Sequence, residues 1–318
     1  MARPDSKAHQ ARTSRAFAAI DGSNSTGVAL VAVLWIVASL SLLAMSLVSS
    51  SRGEVRTVQM ARAFAEAAAN GDAVIEIAAR EIYGAAEPIV RFTRASYLFE
   101  GRELIVQVTP AAGFIDINAA SEALLRDLFV FGAGLDEERA EVLVQRIIDW
   151  RDPDDAALPL GAEDDAYVAA GVTFRTRGGA FEGPEDLLQV LGMSYEVYDK
   201  IQLLVTTSSG AAGVDPLAAS PAVLRILAGG NDANVDAFVS AREAGEPLLD
   251  MTGFTQEHLV SASGAVFHLE ALFPLDAGAR LARARWVDLS LPGPLGLPWR
   301  TLRIEPVRSE LTGGVSGS

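Results

Sequence analysis

Asp149–Asp165 (DWRDPDDAALPLGAEDD) gathers the side chains whose types and spacing most suggest chemistry. Asp152, Asp154, Asp155, Glu163, Asp164 and Asp165 put six carboxylates around one loop. Each of them needs a cation, an arginine or water. Counted from Asp152, Asp154 falls third and Glu163 twelfth, as in an EF-hand. Ala156 and Ala157 then occupy the places where that motif needs a ligand and a glycine, so the loop is not an EF-hand. Hard oxygens around a turn still suit Ca²⁺, and a chain without cysteine gains from such a clip. A solvated acidic loop accounts for the same residues, and residue chemistry alone leaves both readings open.

Enzyme signatures are missing elsewhere. The chain has no G-x-S-x-G, no P-loop and no H-E-x-x-H. His9, His258 and His268 are widely scattered and read as surface or structural histidines. The absence of cysteine removes thiol catalysis and cysteine-based zinc sites. Phe131-Gly132-Ala133-Gly134-Leu135 and Val190-Leu191-Gly192-Met193 have the small residues of helix-hairpin-helix turns. A DNA-gripping hairpin needs backbone amides and bases near phosphate. Here Asp136, Glu137 and Glu138 follow the first turn, and Ser194, Tyr195 and Glu196 the second. They read as packing hairpins. The part after Gly27 carries 22 Lys/Arg against 39 Asp/Glu, a net of −17, which also argues against nucleic acid.

What must position the loop begins at the N-terminus. Val28–Ser51 is 24 residues without a charge, long enough to cross a hydrocarbon core about 30 Å thick as a helix. The leader holds Arg3, Lys7, Arg12 and Arg15 against Asp5 and Asp21, so it should stay inside and the bulk outside. A cleaved secretory signal would be shorter and end at an A-x-A site, which this run lacks. Val55, Val58, Arg62 and Ala65, then Val74, Ala78 and Ile82, continue at helical spacing. Asn70-Gly71 should weaken or bend that helix.

Alternation marks strands at Ile89–Thr93, Ser96–Phe99 and Glu103–Val108, and again at Ala265–Leu272, Arg280–Leu289 and Trp299–Val307. Between them the pattern is helical: Ser121–Phe131, Glu137–Trp150, Pro184–Val190, Tyr195–Leu204, Pro221–Ala228, Asn234–Ala244 and Thr255–Ser261. Residues 116–128 (DINAASEALLRDL) and 215–227 (DPLAASPAVLRIL) match at eight of thirteen positions, each with a serine placed to cap a helix. The expected fold is α+β: a long N-terminal transmembrane helix, and an antiparallel sheet interrupted by a large all-helical insertion with helix-hairpin-helix-like units. The expected division is a leader (1–27), a transmembrane helix (28–51), its continuation (52–87), strands (88–112), the insertion (113–262), returning strands (263–308) and a disordered tail (309–318).

Several segments together resemble the type II secretion minor pseudopilin K family. They are Gly27 followed by Val28–Trp35, Gly113–Ala120, Ile148–Asp154, Gly161–Asp164 and Glu185–Met193. The resemblance spans about Gly27 to Val307, and the tryptophan/aspartate loop is its most specific part. It implies a pilin-like sheet and a non-enzymatic role. A prepilin peptidase would cut between Gly27 and Val28 and methylate the new terminus. Ala32 would then be the fifth mature residue, where most pilin-like subunits carry a glutamate that neutralises a neighbour's ammonium in the membrane. Its absence fits a subunit at the filament tip. The family also implies a structural Ca²⁺ in the acidic loop, carried here by Asp152, Asp154, Glu163 and Asp164. It implies partners too: at least two other minor pseudopilins and the inner-membrane assembly platform. The location implied is the bacterial inner membrane, with the N-terminus cytoplasmic and the C-terminal domain periplasmic. Two rivals use the same anchor: a DNA receptor of the competence type, and a periplasmic enzyme with a catalytic metal in the acidic loop.

Overall fold

α1 (Ser25–Tyr83) is one helix of 59 residues. The structure, a computed structural model, describes residues 25–262, 264–275 and 279–311. The leader to Asn24 and the tail from Thr312 lie outside the described residues, as do the side chains of 25–27 and 47–56. The chain forms two compact units, residues 1–62 and 63–318. In the first, Val28–Ser46 has a mean hydropathy of 2.6 and exposes its side chains on every face. Among the described residues it is the one helix long and apolar enough to cross a membrane. An apolar surface all round suits lipid and not water.

In the second unit, α1 lays Ala67, Val74, Ile75, Ala78 and Ala79 on an antiparallel sheet. The helix continues through Asn70-Gly71, and the glycine there has a steric role. A Cβ on Gly71 would sit 2.7 Å from Arg283 Cβ and 3.6 Å from Ala271 Cβ. The glycine lets the sheet close onto the helix. Beside it, Asp72 accepts from Arg283 at 2.6 Å, and Glu76 accepts from Arg285 at 2.9 Å. Gly71→Ala should therefore lower the unfolding free energy by about 1–3 kcal/mol, although alanine is the better helix former by about 1 kcal/mol. A denaturation midpoint equal to the parent's would show that the contact is slack.

The sheet is built from β1 (Thr93–Phe99), β2 (Arg102–Pro110), β5 (Val266–Pro274), β6 (Ala279–Asp288) and β7 (Arg300–Ile304), in that order. β8 (Arg308–Leu311) pairs the other half of β6. β2 and β5 pair across more than 150 intervening residues, with Val108 opposite Leu269. The strand expected over Ile89–Thr93 does not form, since only Thr93 joins β1 and Phe92 N–H bonds Leu217 O of the helical segment instead. Trp299–Val307 is likewise interrupted, because Glu305 turns its N–H to Ala284 O and the chain then leaves β7 for β8.

Between β2 and β5 lie β3 (Ile115–Asp116), α2 (Glu122–Asp127), α3 (Glu137–Arg151), α4 (Asp164–Ala169), α5 (Tyr195–Ile201), β4 (Val205–Thr206), α6 (Pro221–Leu227) and α7 (Asp232–Glu243). Pro184–Gln189 forms a 3₁₀ segment, and Thr255–Ser261 keeps only the turn Gln256–His258. The two matched segments make equivalent contacts. Ser121 and Ser220 accept from Leu124 N–H and Val223 N–H to cap α2 and α6. Asp116 and Asp215, both buried, accept from Asn118 N–H and Leu217 N–H. The repeat extends beyond the sequence match. Arg151, ending α3, donates to Ile117 O and Ala120 O; Arg242, near the end of α7, donates to Pro216 O and Ala219 O. Each arginine ties the second helix of its unit to the carbonyls that precede the first.

Candidate functional site

The acidic loop is set by the end of α3. Asp136 caps its start, accepting from Arg139 N–H at 2.8 Å. At the other end, Asp152 is extended (φ −86°, ψ 158°), as a residue before proline must be, and Pro153 ends the helix. Trp150 is buried, stacked on Phe181 at 5.8 Å and tilted against Tyr167 at 6.1 Å. With Arg151 pinned to the preceding repeat segment, the last turn of α3 cannot rotate. Asp149 and Asp152, three apart, therefore share one face.

The returning chain closes over that face. Leu158 N–H donates to the Asp149 carboxylate at 3.2 Å, and Leu160 N–H to Gln145 Oε1 at 2.8 Å. Asp149 is fully buried. Glu163 is 8% exposed; its Oε2 accepts from Thr176 Oγ1 at 3.1 Å, while Oε1 is buried with no partner. Asp152 Oδ1 is buried and unpartnered as well. Burial raises the pKa of all three carboxyls. The charges of Asp154 and Asp149 add to the shift at Asp152, and those of Asp149, Asp152 and Asp155 to the shift at Glu163. Buried carboxylate oxygens without donors, pressed by one another's charge, are costly unless a proton or cation joins them.

The four candidate ligands thus divide. Asp152 and Glu163 turn inward to the same crowded wall. Asp154 makes a local turn, accepting from Ala156 N–H at 2.9 Å. Asp164 faces Arg175 at 3.1 Å and Thr176, so an arginine already answers its charge. Asp149, outside the four candidates, lines the same wall, and its spacing from Asp152 on a helix end was the signal available. Among the described residues no three carboxylates or histidines converge at metal-ligand distance. The orphaned oxygens of Asp152 and Glu163 are hard donors, the kind that Ca²⁺ takes.

Of the histidines, His258 is buried with Nε2 2.9 Å from Asp127 and Nδ1 unpartnered. His268 is buried too, 3.4 Å from Glu305; His9 lies outside the described residues. Gly27 falls in the first turns of α1, and Val28 is exposed.

Residues 111–209 match the family described as Type II secretion system (T2SS), protein K. The matched span holds Asp116, the α3 end with Trp150 and Arg151, the acidic loop and the first repeat unit. A protein K of Pectobacterium carotovorum subsp. carotovorum is 25% identical over 116 residues, 32% of this chain and 35% of that protein. The match thus spans about a third of that relative's length. A chain of the GspK-GspI-GspJ complex from the enterotoxigenic Escherichia coli type 2 secretion system superposes with a TM-score of 0.49. Its identity is 16%, over 82% of this chain and 99% of that one.

Proposed function

We propose that this chain is a minor pseudopilin of the type II secretion system, sitting at the tip of the pseudopilus and nucleating or capping its assembly for protein export. The observation that carries this is the pairing of a protein K segment at 111–209 with the N-terminal part of α1, Val28–Ser46, apolar on all sides. In this reading α1 holds the chain in the bacterial inner membrane by a single pass, leader inside and globular unit in the periplasm. Prepilin peptidase cuts after Gly27, exposing and methylating Val28. Ala32 cannot neutralise a neighbour's ammonium, which supports a terminal position. The partners are at least two other minor pseudopilins and the inner-membrane assembly platform, as the family implies. The role is structural and not catalytic.

Calcium belongs to the same proposal. Asp152 and Glu163, with Asp149 behind them, would hold the ion, and Asp154 is near enough in sequence to join. The ion would neutralise the wall and lock the loop onto α3. The test of the pilin reading is at the junction: Gly27→Leu should leave full-length precursor in the membrane and stop export. Normal processing and secretion with that substitution would overturn it.

A further inference from the structure

α3 carries a polar seam. Glu141, Gln145 and Asp149 follow one another at four-residue spacing along one stripe of the helix, and Asp152 follows at its cap. Gln145 is the one uncharged member. A carboxylate in its place would have a like charge one turn away on either side, which destabilises a helix.

An amide brings both a donor and an acceptor, and both are used. Nε2 donates to Glu141 Oε1 at 2.6 Å, and Oε1 accepts from Leu160 N–H at 2.8 Å. The orientation is forced. An ionised carboxylate only accepts, so the NH₂ end must meet Glu141 and the carbonyl end must face the loop. Glu141 stays ionised because the Gln145 amide and Arg126 hold its carboxyl below the usual range, against burial. Arg126, near the end of α2, puts Nε and Nη2 on the other oxygen, Oε2, at 2.8 and 2.6 Å. Its Nη2 also reaches Glu122 Oε1 at 2.8 Å. A line of hydrogen bonds thus runs from α2, across α3, to the loop backbone.

That line ends where the returning chain has to be placed. Leu158 N–H bonds Asp149, and Leu158 O accepts from Gly161 N–H at 2.9 Å, so residues 158–161 form a turn on the seam. Glu163, with its orphaned Oε1, comes two residues later. Leu160 is 43% exposed, so apolar burial does little to hold this turn. Backbone bonds to Asp149 and Gln145 hold it instead.

We propose that Gln145 is a positioning residue for the acidic loop, and that α2 sets the loop's closure over the buried wall through Arg126, Glu141 and Gln145. Only the effect on ion affinity rests on the calcium reading.

The test is amide hydrogen exchange, read by mass spectrometry on the full chain in neutral detergent, in chelator and in calcium. In chelator, Gln145→Leu should speed exchange of residues 156–162 about fivefold, the loss of one hydrogen bond, while residues 140–144 of α3 keep the parent's rate. Gln145→Glu keeps an acceptor for Leu160 but repels Glu141 and Asp149, and should do the same. Arg126→Gln touches nothing in the loop, yet should speed its exchange about twofold, and Arg126→Lys should restore most of the protection. In calcium, Gln145→Leu should weaken the ion's affinity about tenfold, as loss of supporting hydrogen bonds does at metal sites. The proposal is overturned by an unprotected 156–162 segment in the parent, or by loop exchange unchanged in Gln145→Leu or in Arg126→Gln. Equal acceleration in α3 also overturns it, since that marks a general loss of stability. If calcium changes nothing in the parent, the cation reading fails, and the chelator data still decide the role of Gln145.

Discussion

Saturating calcium should raise the unfolding free energy of the full chain by about 2.7 kcal/mol at a hundredfold excess over its dissociation constant. Glu163→Gln or Asp152→Asn should abolish most of that gain, whereas Asp164→Asn should leave it largely intact, because Asp164 is already engaged by Arg175 and Thr176. The sign of the pH dependence gives a second readout. Asp149, Asp152 and Glu163 all have folded pKa values raised by burial and by one another. The folded state then binds protons that the unfolded state releases. Their contribution is fully present below the ordinary carboxylate values of 3.8 and 4.5 and is lost as pH rises through the raised folded values. Calcium requires these groups ionised, so in its presence stability should instead climb with pH over the same interval. Thermal or denaturant midpoints in calcium and in chelator, from pH 4 upward, measure both effects. Glu305 and Asp72, whose pKa values are lowered, contribute the opposite slope in both conditions and cancel in the difference. Coincident curves with and without the ion would remove calcium from this account.

The second large effect is at Gly161. A Cβ there would lie 2.6 Å from Asp149 Cγ and closer still to its carboxylate. Neither partner can retreat, since Asp149 is fully buried on the last turn of α3 and that turn is held by Arg151 and the Trp150 stack. Gly161→Leu should cost about 3 kcal/mol in stability and abolish the calcium-dependent shift together with it. The comparison substitution is Gly179→Ala, in the same region, where a Cβ meets nothing within 4 Å. It should change the midpoint by less than about 0.5 kcal/mol. Equal midpoints for the two glycine variants would show that the loop opens freely, and the buried wall would lose its significance.

Much of the helical segment was legible because its signals are local. A serine three residues before the amide it caps, a proline behind Asp152, and the thirteen-residue match all act within a turn or two of chain. The acidic loop was visible for the same reason, as a run of carboxylates. Which of them matter was not visible. Asp164 looks equivalent to Glu163 in the sequence, yet Arg175 and Thr176, eleven and twelve residues on, take up the first and leave an oxygen of the second bare. The failed strand at Ile89–Thr93 has a similar cause: alternation was present, but the neighbour available to Phe92 was Leu217 and not a strand.

By itself the sequence determined the membrane helix, the capped repeat units, the acidic character of the loop and the strand-rich flanks, since each depends on the order of side chains over a few residues. Only tertiary structure decided the pairing of β2 with β5, the tight seating of Gly71 against Arg283, and the arginine ties at Arg151 and Arg242. Those features join segments up to about two hundred residues apart. What selects them is removal of apolar surface from water and satisfaction of buried polar groups, and neither quantity exists until the chain has closed on itself.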